Sequence, residues 1–250
     1  MRILDAGALE DLRGRGWARI RAPRATGRAR RAAPAWEEFF ASEDKYKFRH
    51  LPGKLDGYFA QGSETALGYA KPDPKEFFHV YPPTVLPPKL SDHSVPLLRS
   101  ATELAQNIAE DLFSSGILPF AVSLASGGSQ LLRVAHYSES GVEPLAQLHT
   151  DITLFTLLVF ETGPGLQLID HGKRVDVSPS KSEALLIAGD LLEIATSGTI
   201  RAVPHMVRRS TGDRLSFVFF ANPGHDTLLA PGLTAGRVLE ERLKAMGGYA

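Results

Sequence analysis

LLRVAHY (131–137), LFTLLVFE (154–161), LQLID (166–170), RVDVS (174–178), ALLIA (184–188), LLEIAT (191–196), HMVRRS (205–210) and RLSFVFFA (214–221) fill the second half of the chain. Each run is short and rich in strand-forming residues. Breaks at Gly163-Pro164-Gly165, His171-Gly172 and Thr211-Gly212 separate several of them. Regularly spaced short strands of this kind indicate a sandwich, a jelly roll or a barrel.

Outward from this block the pattern changes. Seven prolines between Pro72 and Pro96 (also Pro74, Pro82, Pro83, Pro87 and Pro88) predict an extended, irregular connection. A helix is expected from about Leu97 to Ser115, where Leu98, Leu104, Ile108 and Leu112 recur at helical spacing. Ser114-Ser115-Gly116 would stop it. A second amphipathic helix is expected from Leu233 to Met246, with Val238, Leu239, Leu243 and Met246 on one side. The reading is one domain over residues 1–250: a helical or irregular region to residue 129, a double-stranded β-barrel over 130–223, and a C-terminal helix within 224–250. No internal repeat is evident.

Composition narrows the chemistry. The 250 residues are 43% hydrophobic and 22% charged, as in ordinary globular proteins. There are 28 basic and 28 acidic residues, so no net field favours nucleic acid or an anionic membrane. Cysteine is absent, which excludes disulfides, thiolate ligands and a cysteine nucleophile. Any metal must then be held by His, Asp or Glu. No stretch approaches the roughly 18 apolar residues of a membrane span. Acids stand where a signal peptide needs an apolar run, and the expected location is cytoplasmic. Eight arginines lie between Arg13 and Arg31 with no acid among them. They read as a solvated surface, or alternatively as a docking patch for an anionic substrate or carrier.

Two constellations carry chemistry. His149-Thr150-Asp151 sits at the mouth of a strand-like segment, where residues two apart share a face and can reach one metal. His205 opens a later strand that a rolled sheet can bring alongside. Two imidazoles and one carboxylate form a facial triad with open positions, the pattern of a non-haem Fe(II) oxygenase. An H-x-D alone is a weak signal, and context has to support it. Arg214-Leu215-Ser216 begins nine residues after His205. A guanidinium fork and a hydroxyl on one face suit a carboxylate, such as the distal end of 2-oxoglutarate. A surface salt bridge on an edge strand is the bland alternative.

HTDITLFTLL, GPGLQLID, VDVSPS, LLIAGDLLEIATSGTIRAVPHMV and RLSFVFFANP, in this order between His149 and Pro223, resemble the isopenicillin N synthase-like family of 2-oxoglutarate/Fe(II) oxygenases. LLRVAHY resembles that family's first barrel strand, and GYFAQGSE (57–64) with DPKEFFHV (73–80) the stretch before it. The resemblance implies a mainly β fold with flanking helices around a double-stranded β-helix (jelly-roll) barrel. It implies Fe(II), 2-oxoglutarate and O2 as cofactor and cosubstrates, with His149, Asp151 and His205 as iron ligands. Arg214 and Ser216 would hold the 2-oxoglutarate carboxylate, and Tyr137 would donate its hydroxyl to the same group. Ser138 stands where the family usually has proline after that tyrosine.

Arg133 matches a position that faces substrate in some members, with a structural ion pair as the alternative. Thr153 and Phe155 would continue the inward face of Asp151, and Phe220 that of Ser216. They are candidates for the substrate pocket or for core packing. Among the other histidines, His225 is placed near the site entrance and His171 in an exposed hairpin turn. Asp190 is read as a turn residue supporting the barrel.

The activity implied is hydroxylation, desaturation or cyclisation of a small molecule in specialised or amino-acid metabolism, with an acidic group expected on it from Arg133 and the arginine-rich stretch. Succinate and CO2 would be released. Two alternatives stay open: an oxidase of the same family that does not use 2-oxoglutarate, and a catalytically silent barrel-fold binding protein.

Overall fold

A computed structural model describes residues 2–81, 84–124 and 130–245. Pro82, Pro83 and Met246 therefore lie outside the described residues. The strands are β1 (Trp17–Arg21), β2 (Gly57–Phe59), β3 (Lys75–Val80), β4 (Leu131–Tyr137), β5 (Ala146–His149), β6 (Phe155–Glu161), β7 (Leu166–Asp170), β8 (Lys173–Asp176), β9 (Glu183–Ala188), β10 (His205–Val207) and β11 (Arg214–Ala221), followed by a small hairpin of β12 (Leu228–Ala230) and β13 (Leu233–Thr234). The helices are α1 (Ala6–Arg15), α2 (Pro23–Ala41), α3 (Pro88–Ser114), α4 (Asp190–Ala195) and α5 (Ala235–Ala245).

A seven-stranded antiparallel sheet, in the order β1-β9-β6-β11-β4-β3-β2, faces a four-stranded one, β5-β10-β7-β8. This is the expected double-stranded β-helix. Alternation, reset once by a bulge on β6 opposite Phe217 and Val218, divides its side chains. On β11, Leu215, Phe217, Phe219 and Ala221 point outward into the larger core, beneath α2 and α3. Ala135 and Tyr137 of β4, Leu158 of β6 and Leu185 of β9 point inward and meet Ala146, Leu168 and Val207 of the small sheet. The helical layer is dense because α2 turns alanines (Ala25, Ala29, Ala32, Ala33) and Trp36 toward it. Burying an aromatic such as Trp36 stabilises the layer by about 2–3 kcal/mol.

Three expectations need correction. The region before residue 130 is not merely helical or irregular, since it contributes three of the seven strands of the large sheet. WARIR (17–21) hides its alternation among arginines, yet its burial runs buried, buried, exposed, buried, exposed. α3 starts at Pro88, nine residues before Leu97. Pro88 occupies the first turn, where its missing N–H would be unpaired anyway. Pro96, inside the helix, has its carbonyl bound by Arg28 Nη1 and by Ser100 Oγ at 2.9 Å.

LLEIAT is not a strand but α4 with its C-terminal turn. A run this short, with Glu193 in its middle, has no period to distinguish the two. The chain must turn at Gly189, where a Cβ would lie 2.3 Å from the Thr153 carbonyl. The stop at Ser114-Ser115-Gly116 is as expected, with Gly116 at φ +72°.

Five of the eight arginines of residues 13–31 have partners. Arg15 pairs with Asp11 and Arg24 with Glu103. Arg19 donates to the Ser178 carbonyl and Arg28 to that of Pro96. No helix among the described residues is long and apolar enough to cross a membrane.

Candidate metal centre and carboxylate clamp

β10 lies between β5 and β7, and His205 stands directly opposite His149 in the β5–β10 register. The two imidazole centroids are therefore only 4.4 Å apart. Asp151 is not on a strand. It sits in the loop after β5, two residues beyond His149, so convergence comes from loop geometry and not from the period-two rule. Its Oδ1 is 3.7 Å from His149 Nε2 and its Oδ2 is 3.6 Å from His205 Nε2. One ligand atom from each residue lies within 4.8 Å of the other two, the only such group of three among the described residues.

The surroundings fix the orientation of each group. His149 Nδ1 donates to the Gln147 carbonyl at 2.7 Å and His205 Nδ1 to that of Val203 at 3.0 Å. Both Nε2 lone pairs are thereby directed to the centre. Thr156 Oγ1 donates to Asp151 Oδ2 at 2.6 Å. The first N–H groups of α4 hold the loop itself, Asp190 N on the Asp151 carbonyl at 2.9 Å and Leu191 N on that of Thr153 at 3.0 Å. Asp190 thus supports the barrel, and its carboxylate pairs with Arg242 of α5.

Burial and the neighbouring His205 hold His149 down to about 4. Burial would raise Asp151, but the two histidines and the Thr156 hydroxyl keep it below its usual value. A neutral imidazole and an ionised carboxylate are the states that a divalent cation requires.

Arg214 and Ser216 are both buried, on a central strand and not on an edge. Arg214 Nε donates to the Gly163 carbonyl at 2.9 Å, and its Nη2 pairs with Glu161 at 2.5 Å. Its Nη1, and Ser216 Oγ, are buried with no hydrogen-bond partner. Orphaned donors of this kind are what an absent carboxylate would satisfy, so the residues fit the distal end of 2-oxoglutarate. Tyr137 stands opposite Arg214 in the β4–β11 register, with the guanidinium 4.9 Å from its ring centroid.

A cavity of about 960 Å³ opens beside His149 and Asp151. Phe220, Thr153, His225 and Arg133 line it. Phe155 does not. It is fully buried in the outer core, because the bends between Asp151 and β6 break the register that was expected to carry the inward face through it. Arg133 is held in a structural ion pair. Glu64 receives it at 3.0 and 2.8 Å, His79 Nε2 accepts from its Nε at 2.8 Å, and it stacks between Phe77 and Phe220.

Sequence reasoning missed Thr156, Glu161, Glu64, His79 and the wall provided by Leu239 and Arg242 of α5. Glu161 carried a faint signal as the acid that ends an otherwise apolar strand. The others carried none.

The family model described as the 2OG-Fe(II) oxygenase superfamily matches residues 128–223. A candidate oxygenase from Shewanella oneidensis, solved by crystallography, superposes with a TM-score of 0.82 at 28% identity, over 96% of this chain and 94% of that one. Gibberellin 2-beta-dioxygenase 3 of Arabidopsis thaliana is 35% identical over 107 residues, 40% of this chain and 32% of the relative. The 1-aminocyclopropane-1-carboxylate oxidase of Prunus mume is 30% identical over 151 residues, 58% of this chain and 47% of the relative. The matching stretches thus span less than half of these two plant enzymes. The jelly roll, the His-Asp-His cluster at its mouth and the family match agree: the segment 128–223 belongs to the 2OG-Fe(II) oxygenase superfamily.

Proposed function

We propose that this protein is an Fe(II)- and 2-oxoglutarate-dependent oxygenase that oxidises a C–H bond of a small molecule held in the cavity beside His149 and Asp151. His149, Asp151 and His205 would be the ligands of the iron, leaving three positions for cosubstrate and oxygen. Arg214 and Ser216 would take the distal carboxylate, with the Tyr137 ring supporting the guanidinium. When bound, iron and 2-oxoglutarate supply the oxidising power: dioxygen is consumed, the keto acid leaves as succinate and CO2, and one oxygen atom is available to the substrate C–H bond.

The chain's own part is positioning and the exclusion of water. The Gln147 and Val203 carbonyls lock both imidazoles, and Thr156 holds one carboxylate oxygen of Asp151. The barrel interior around Leu158 and Leu168 is apolar and closed. The cavity is walled by Phe220, Leu131 and Leu239, which would place an apolar part of the substrate against the metal. An acidic substrate group would have to displace Glu64 from Arg133, so the geometry gives the expectation of an acidic substrate no support.

The observation that carries this reading is the pairing of a three-residue cation site with two orphaned donors on the neighbouring sheet. Succinate release that requires both Fe(II) and 2-oxoglutarate, stimulated by a screened metabolite, tests it. Substrate loss without succinate would favour the family's oxidase chemistry instead.

A further inference from the structure

Three buried polar atoms of β6 and β11 have no hydrogen-bond partner: Arg214 Nη1, Ser216 Oγ and Glu161 Oε1. They belong to one cluster. Glu161 stands opposite Ser216 in the β6–β11 register. Arg214 is two residues from Ser216 on the same face, and its Nη2 holds the other Glu161 oxygen, Oε2, at 2.5 Å. The Arg214 and Glu161 side chains are only 2% and 5% exposed. Polar atoms buried in this way are expected to meet a partner.

The cluster has a definite hydrogen-bond demand. Arg214 Nη1 can only donate, Ser216 Oγ can donate or accept, and an ionised Glu161 Oε1 can only accept. A bare carboxylate would satisfy the first two. It would also set a second negative charge beside Glu161, which already pairs with the Arg214 guanidinium. Like charges in one buried site disfavour double ionisation. A group offering acceptors together with one donor, such as a protonated carboxyl or a carboxamide, satisfies all three.

Building on the cosubstrate reading above, the geometry points to Glu161 as a specificity-determining residue of the clamp: the distal carboxyl of 2-oxoglutarate is held together with one proton, shared with Glu161 Oε1. The other groups around it do not supply that proton's place. From β4 comes the Tyr137 phenol, whose ring lies under the guanidinium. From β3 comes Lys75, opposite Tyr137 in register and held by Glu64 and Asp73. From β11 come Arg214 and Ser216 themselves. Binding that takes up one proton weakens about tenfold for each unit of pH rise. A distal amide brings its own N–H donor and binds without that penalty.

The test is anaerobic titration calorimetry on protein loaded beforehand with Fe(II), so that ligand deprotonation is complete. 2-Oxoglutarate and its distal amide, 2-oxoglutaramate, are titrated between pH 6 and 8 in buffers of different ionisation enthalpy. Wild type takes up close to one proton per 2-oxoglutarate and close to none per 2-oxoglutaramate. Glu161→Gln takes up none with either, and binds 2-oxoglutarate at least tenfold more tightly at pH 8. Equal proton counts for wild type and Glu161→Gln overturn the inference. So does a wild-type count of zero, which needs no variant to fold. If 2-oxoglutarate binds neither protein, the cosubstrate reading fails first and this inference falls with it.

Discussion

Thr156→Val isolates one hydrogen bond at the metal centre. Thr156 Oγ1 donates to Asp151 Oδ2 at 2.6 Å, and Thr153 Oγ1 stands 3.3 Å behind it. Valine keeps the volume and β-branching of threonine, so the strand and its packing on β9 and β11 should survive. A hydrogen bond to a charged group is worth about 1.5–3 kcal/mol. At about 1.4 kcal/mol per decade this corresponds to roughly 10–100-fold in cation affinity. The same range is typical of partners that orient metal ligands.

The Thr153 hydroxyl loses its acceptor as well, which moves the expectation toward the upper half of the range. The assay is competition of Fe(II), or Co(II) as an air-stable stand-in, against a chromophoric chelator. Urea unfolding of the metal-free protein serves as the control for the fold. Thr156→Ser keeps the hydroxyl and should recover most of the loss. Affinity within about threefold of wild type for Thr156→Val, with the fold intact, would refute the argument that this hydroxyl orients Asp151.

His205→Ala should abolish stoichiometric Fe(II) binding while leaving the far-ultraviolet circular dichroism and urea midpoint nearly unchanged; retained tight binding would reject it as a ligand. Arg214→Ala should weaken equilibrium binding of 2-oxoglutarate by about 2–5 kcal/mol, read by calorimetry, since a buried charged contact is lost. Glu64→Gln should destabilise the fold by about 3 kcal/mol in urea unfolding, the lower end for a broken buried pair because Arg133 is 14% exposed.

Glu64 also gives the fold an acid sensitivity of known sign. Burial would raise its carboxyl, but Arg133 and Lys75 hold it well below the ordinary value of 4.5. A depressed carboxylate stabilises the fold above its unfolded value, and that stability drains away as the pH falls below about 4.5 toward the folded value. Urea midpoints measured between pH 7 and 3 should fall less steeply for Glu64→Gln than for wild type.

What could be read from the sequence was what repeats or what is chemically rare. Period-two strands after residue 130 pointed to the barrel, and the weak H-x-D signal at His149 and Asp151 became a ligand set with His205 only through the resemblance of the surrounding stretch to a known family. β1 was not readable, since its alternation is carried by arginines that composition attributes to a surface. α4 was misread because a run as short as LLEIAT, with four apolar residues, carries no period that separates helix from strand. Thr156 and Glu64 are ordinary residues whose importance comes only from tertiary proximity. Phe155 went astray by one assumption, that the strand geometry of β6 extends back to Asp151; the bends at residues 152–154 cancel it.

The most direct measurement is an anaerobic optical titration of the metal-free protein with Fe(II) in the presence of 2-oxoglutarate. A visible charge-transfer band that saturates at one iron per chain, and that is missing in His205→Ala, is the predicted result. A wild-type protein that binds no iron, or binds it without that band, would contradict the assignment of His149, Asp151 and His205 to a shared ferrous centre beside a keto-acid clamp.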